Sequence, residues 1–190
     1  MTSQLLADRL QGLESSPTLA LAAKAKALLK SGKAVLDFTA GEPDFPTPEP
    51  VKEAAIRAIQ SNQTKYTPAS GIPELRAAIA SDLKRRLGLT YAAEEVMVSC
   101  GAKHVLYNAL QTLCEPGDEV LIFSPYWVSY PPLVQLTGAK PVIVETDEAD
   151  GFQPDPEAVR AAITPQTKAI ILNSPSNPTG AVIEESRLKK

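Results

Sequence analysis

From residue 95 onward, short apolar runs alternate with segments whose apolar residues recur every three or four positions. The runs at 95–99, 119–123, 141–145 and 167–173 read as strands, and 102–114, 128–137 and 155–163 between them read as helices. Inside the last run, Ala169-Ile170-Ile171-Leu172 has no polar alternation, which predicts a strand buried on both faces. Strand-then-helix repetition of this kind predicts an α/β fold: a mostly parallel sheet flanked by helices. Ligands of open α/β sheets bind beyond the carboxyl ends of the strands, which directs attention to the loops at 100–103, 124–127 and 173–180.

Upstream the pattern is helical. Residues 18–30 form an alanine- and leucine-rich helix that stops at Gly32, and 35–38 read as a short strand. Residues 39–50 read as a loop, 50–61 as an amphipathic helix and 63–71 as a second loop. A further helix at 72–87 opens on Pro73-Glu74 and closes on Arg85, Arg86 and Gly88. The 17 prolines fall singly or in pairs at the edges of these segments, so they punctuate a folded chain and form no low-complexity tract. No internal repeat of fixed period is present, which removes solenoids and propellers.

Charge narrows the function classes. Lys and Arg total 19 and Asp and Glu 22, a net −3 with both signs interspersed, so no basic field exists to recruit nucleic acid or an anionic membrane. No apolar run approaches the roughly 18 residues of a membrane span. Cys100, Cys114 and the single His104 lack metal-ligand spacing, and two cysteines make no disulfide framework. These features predict a cytoplasmic protein of small-molecule chemistry without a metal.

Three loops carry candidate chemistry. Ser99-Cys100-Gly101-Ala102-Lys103 joins a strand to a helix without a long side chain at the turn, so its amides suit a phosphate; a purely structural glycine is the competing reading. The sequence is neither G-x-G-x-x-G nor G-x-x-x-x-G-K-[ST], which disfavours dinucleotides and P-loop chemistry. Trp127, the only tryptophan, sits at a strand's end as either a core filler or a flat partner for a planar cofactor. Residues 173–180 hold two Asn and two Pro, and Asn177 is the polar group best placed to meet a ligand.

Five stretches, in order, carry a family resemblance: T-A-G-E-P-D-F-P-T-P, K-Y-T-P-A-S-G-I-P-E-L-R, S-C-G-A-K, S-P-Y-W-V-S-Y and N-S-P-S-N-P-T-G. The chain resembles the fold-type I, class I and II aminotransferases that use pyridoxal 5′-phosphate (PLP), and within them the bacterial-type aspartate aminotransferases. The resemblance implies that Gly101, Ala102 and Lys103 cradle the cofactor phosphate, Trp127 stacks on its ring and Asn177 bonds the ring's phenolic oxygen. It implies further that Gly41 meets the substrate α-carboxylate. Tyr66 is implied to reach the phosphate of a second subunit's site, which makes the assembly a homodimer with shared active sites. Lys103 and Thr18 resemble groups that recognise a substrate's distal carboxylate; a solvated lysine and an ordinary helix cap are the bland alternatives. Trp127 and Asn177 count among the substrate-binding residues as well.

The same resemblance sets further expectations. Residues 1–47 correspond to an N-terminal arm and part of a small domain, and 48–190 to the first part of the large PLP-binding domain. The lysine that bonds to the cofactor, the acidic partner of the ring nitrogen and the arginine for the α-carboxylate are all implied to lie beyond N-P-T-G. The 190 residues are therefore expected to be an inactive part of a longer chain, with no catalytic residue assigned within them. The activity implied for the whole is transfer of an amino group from aspartate, with glutamate, prephenate or aromatic partners also open, to a 2-oxo acid. Another PLP reaction on the same fold, a lyase or a synthase, and a non-catalytic PLP-sensing regulator module are the alternatives. Finally, the Ser124-Pro125 and Asn177-Pro178 bonds are expected to be cis.

Overall fold

The structure, a computed structural model of the chain, describes residues 7–10, 13, 17–39 and 41–189. Two compact units divide at Cys100/Gly101.

In the first, three α-helices follow one another: α1 (Pro17–Lys30), α2 (Glu49–Gln60) and α3 (Pro73–Leu87). Each begins at or beside a proline, where the missing N–H is no loss because the first turn has no intrahelical acceptor for it. Helix α3 ends as its sequence requires: Lys84, Arg85 and Arg86 face the negative end of the helix dipole, and Gly88 takes φ +71°, its N–H closing on Lys84 O at 3.1 Å. Asp82 pairs with Arg85 and Arg86 one turn on, at 2.5 and 2.6 Å.

Two expected strands do not form here. Residues 35–38 have no ladder partner among the described residues, and Leu36 and Phe38 stand exposed. Residues 95–99 begin in a 3₁₀ turn (Ala93–Glu95) and then run extended without a sheet. What holds them is local: Val98 N–H donates to Ser70 O at 3.0 Å, and Arg76 Nε donates to Val96 O at 2.9 Å. β-Branched residues favour extended backbone, but a strand needs a neighbour.

The second unit is the α/β layer structure that its alternation predicts. Helix α4 (Ala102–Leu113) leads to β1 (Glu119–Phe123), α5 (Tyr130–Gln135), β2 (Lys140–Val144), α6 (Pro156–Ala162), β3 (Thr167–Ile171) and a last turn α7 (Glu185–Leu188). The strands form one parallel sheet in the order β2-β1-β3. Helix α5 is shorter than the 128–137 expected, because Pro131 and Pro132 are tolerated only in a first turn and so fix the start at Tyr130.

One face of the sheet, through Val120 and Ile122 of β1 and Ala169 and Ile171 of β3, packs on Leu110 of α4, on Cys114 just after it and on Tyr130, Leu133 and Val134 of α5. Val120, Leu121, Ile122 and Val134 are essentially sealed from solvent, each contributing about 1.5–3 kcal/mol of burial. Strand β3 departs from expectation. Only its Ala169/Ile171 face is covered, while Ile170 is 41% and Leu172 54% exposed, because β3 is an edge of the sheet among the described residues. No helix among the described residues is long and apolar enough to cross a membrane.

Candidate functional site

Three chain segments meet at the carboxyl end of this sheet. The first is the start of α4. Gly101 is its N-cap, at φ +82° and ψ 165°, a backbone conformation that a side chain resists. Its carbonyl accepts from His104 and Val105 at 3.1 and 3.2 Å, and no side chain caps the helix. The amides of Ala102 and Lys103 belong to the first turn, outside the helix's own ladder, and lie at the positive end of its dipole. A Cβ on Gly101 would touch nothing within 4 Å, so the approach to these amides is open. Such a terminus is built to hold an anion.

The second segment follows β1. Residues 124–129 carry Trp127 to the start of α5, where Tyr130 is buried and meets the indole edge-on at 5.5 Å and 88°. Burial pushes the Tyr130 phenol's pKa up, which keeps this support neutral. Trp127 itself is half-buried, and Lys103 Nζ stands 4.8 Å from the ring centroid. The cation and the indole, 24 positions apart in sequence, are thus brought within cation–π range.

The third segment, after β3, folds into a closed loop. Gly180 N–H donates to Ser176 O at 2.8 Å, Ser176 N–H to Ala181 O at 2.8 Å, and Asn177 N–H to the Asn173 side chain at 2.9 Å. Asn177 therefore spends its main-chain donor on the loop and leaves its side chain exposed. Both expected cis bonds are present, and Ser174-Pro175, which the sequence did not single out, is cis as well.

Between the second and third segments lies a cleft of about 30 Å³, lined by Ser124, Tyr126, Tyr130, Phe152, Asn173 and Asn177. That is room for about one water, so the cleft itself does not admit a ring-sized ligand. A larger concavity of about 270 Å³ lies on the other face of β3, among Val159, Ile163, Ile170, Leu172 and Leu188. It is the bigger hollow, yet none of the motif residues reaches it. Chemistry decides for the smaller site.

The remaining candidates are in the helical unit. Thr18 is half-buried in the first turn of α1, Gly41 is exposed, and Tyr66 is fully exposed in the loop before α3. Two features of the second unit escaped the sequence. Phe152, at φ +58°, lines the cleft in a conformation bulky residues avoid, and Gln153 brackets the strand-like segment after the loop, its amide donating to Val182 O at 3.0 Å and accepting from Glu184 N–H at 2.9 Å. Gln153 has no local sequence signal, since its partners lie about thirty residues away, whereas Phe152 N–H is held locally by Asp147 O at 2.8 Å.

Residues 33–190 match the family model described as aminotransferase class I and II. The chain is 52% identical over 184 residues to the aspartate/prephenate aminotransferase of Thermus thermophilus, covering 97% of this chain and 48% of that protein. It is 50% identical to an aspartate aminotransferase of Geobacillus stearothermophilus, with 97% and 47% covered. Among solved structures, the aspartate aminotransferase of Thermus thermophilus with maleate superposes with a TM-score of 0.93 at 52% identity, over 97% of this chain and 48% of that one. The aspartate aminotransferase of Thermotoga maritima superposes at 0.92 and 46% identity, over 97% and 49%. The chain spans about half the length of the relatives it matches.

Proposed function

Because the chain belongs to the class I and II aminotransferases, we propose that residues 101–190 build the PLP seat of an aspartate aminotransferase acting as a cytoplasmic homodimer. The observation that carries the reading is the placement of Trp127 beside the uncapped start of α4, with the Lys103 ammonium 4.8 Å from its ring. A phosphate fits the Gly101-Ala102-Lys103 amides and a flat ring fits the indole face, so one anionic aromatic ligand satisfies both.

When bound, PLP supplies an electron sink for bonds to the substrate Cα. The residues of this chain orient it. The α4 amides fix the phosphate, Trp127 fixes the plane of the ring against the rigid edge of Tyr130, and the free Asn177 amide donates to an oxygen on the ring's rim. Gly41 and Tyr66 belong to the same proposal, Gly41 toward the α-carboxylate and Tyr66 toward the other subunit's phosphate, as does the division at residues 47/48. Lys103 and Thr18 are assigned to the distal carboxylate of the substrate. Maleate, the ligand of the Thermus thermophilus structure, is a four-carbon dicarboxylate like aspartate's carbon skeleton, which supports that assignment. No motif assigns the proton-transferring lysine to any of these residues.

Trp127 is the only tryptophan, so its emission tests the seat directly. Adding PLP to the chain is expected to quench Trp127 saturably, with inorganic phosphate competing. Pyridoxal, which lacks the phosphate, should bind at least about tenfold more weakly, the worth of one or two charge-assisted bonds. Equal binding of PLP and pyridoxal would show that the α4 terminus holds no phosphate.

A further inference from the structure

Strand β1 ends at Phe123, and the loop that carries Trp127 starts at the next residue, Ser124. All three polar groups of Ser124 are engaged by three consecutive residues at the end of β2. Its N–H donates to Val144 O at 3.0 Å, its hydroxyl donates to the Glu145 carboxylate, and its carbonyl accepts from the Thr146 hydroxyl. The first bond extends the parallel ladder by one step. The other two are made by side chains reaching across from a neighbouring strand's exit, and a ladder does not need them.

From this latch the chain reaches Trp127 in three residues and the start of α5 in six, closing with Tyr130 N–H on Trp127 O at 2.9 Å. Trp127 is only half-buried, so packing against Tyr130 leaves the ring's position partly open. The fixed point upstream must supply the rest. Glu145 is exposed and its bond competes with water, whereas the Thr146 bond is partly buried; losing the Thr146 hydroxyl leaves a carbonyl in want of a donor.

We propose that Thr146, seconded by Glu145, is a positioning residue: it holds Ser124 and through it sets the Trp127 ring in front of the α4 N-terminus. The proposal deepens the cofactor-seat reading and rests on it for its function, but the geometry is testable without any ligand.

The experiment reads the emission and acrylamide quenching of Trp127 in the 190-residue chain. Thr146→Val is expected to raise the population of the displaced loop about fivefold, seen as a red shift and easier quenching, the consequence of one lost bond to a part-buried carbonyl. Thr146→Ser keeps the hydroxyl and should restore the wild-type spectrum, and Glu145→Ala should shift it in the same direction but less. A Thr146→Val chain with native circular dichroism and wild-type emission overturns the proposal, even if its unfolding midpoint falls, since that is what a merely structural threonine does. Should Thr146→Val not fold, the surface variant Glu145→Ala decides: unchanged quenching overturns the proposal. Adding PLP separates the two readings. If PLP leaves Trp127 unaffected while the variants still shift it, the positioning stands and the cofactor reading falls; the reverse pattern removes Thr146 and Glu145 and leaves the seat.

Discussion

Residues 17–100 and 101–190 are similar in length and very different in what they bury. In the helical unit Ala25 is the only buried apolar residue among those described, and Val51, Ile56 and Ile59 on α2 and Leu75 on α3 remain exposed. In the sheet unit a single central strand, β1, places three consecutive residues out of reach of water, with α4 and α5 packed over Val120 and Ile122. A parallel strand flanked by two others exposes no edge, and helices packed on the sheet cover its side chains, while an amphipathic helix always leaves a stripe to be covered. The sheet unit can therefore hold a loop in place, and the loops that carry the residues of the proposed PLP seat are attached to it.

The two units should differ most in what a core truncation costs. Ile122→Ala should cost about 2–5 kcal/mol, because the side chain is sealed between β1 and α4/α5 and the space cannot collapse. Ile59→Ala, at a position 65% exposed, should fall within about 0.5 kcal/mol. Urea unfolding followed by circular dichroism measures both, and similar losses would mean that the helical unit is covered in solution.

Function should divide along the same line. In an active full-length form, Lys103→Ala should lower kcat/KM for aspartate by about 2 kcal/mol more than for a neutral amino acid, the worth of a desolvated charge pair. Thr18→Val in the helical unit should cost about 1.5 kcal/mol in the same comparison, the low end for a hydrogen bond to a carboxylate. Equal loss on both substrates for Lys103→Ala would leave it with the phosphate alone.

One site in the helical unit is almost as tight as Gly138 of the sheet unit, where a Cβ would lie 2.7 Å from Pro116 Cγ. Gly71 has φ +100°, and a Cβ there would lie 2.9 Å from Val98 Cβ and Cγ2. Gly71→Ala should lower stability by about 1–3 kcal/mol. Gly117→Ala, with a similar φ and open space around it, should cost less. Ranking the two by thermal unfolding sharpens where the helical unit is held.

The smallest effect concerns acid. Hydrogen bonds from Thr164 and then from Lys140 hold the Glu119 carboxyl below the usual carboxylate range; Arg86 and Arg85 do the same for Asp82. A depressed carboxyl contributes stability that is present above its unfolded pKa and lost as pH falls through the lower folded one. Glu119 links β1 to β2 and to the turn before β3, while the Asp82 pairs stay within α3. Glu119→Gln should flatten the acid limb of the unfolding curve in the sheet unit, and Asp82→Asn should barely change it.

Local pattern made most elements legible: α1, α2, α3, α4 and β1 lie within a residue or so of where their apolar spacing and proline or glycine ends place them. The two absent strands and the half-exposed β3 share a cause, since periodicity reports what a side chain would do beside a neighbour and not whether the neighbour exists. For the site, Gly101 was readable as an open helix start from its turn. The family motifs implied that Lys103 and Trp127 share one cofactor, but their contact and the engagement of Ser124 by residues 144–146 came only from the structure. Contacts between loops twenty residues apart leave no spacing to read.

The order β2-β1-β3 has a consequence for a chain emerging residue by residue from the ribosome. The central strand is synthesised first, β2 then adds to one open side, and β3 to the other. No strand has to be threaded between two that are already paired. Each addition brings its own closing contacts, so the sheet can grow outward during synthesis, and the most deeply buried run, Val120-Leu121-Ile122, is the first to be paired.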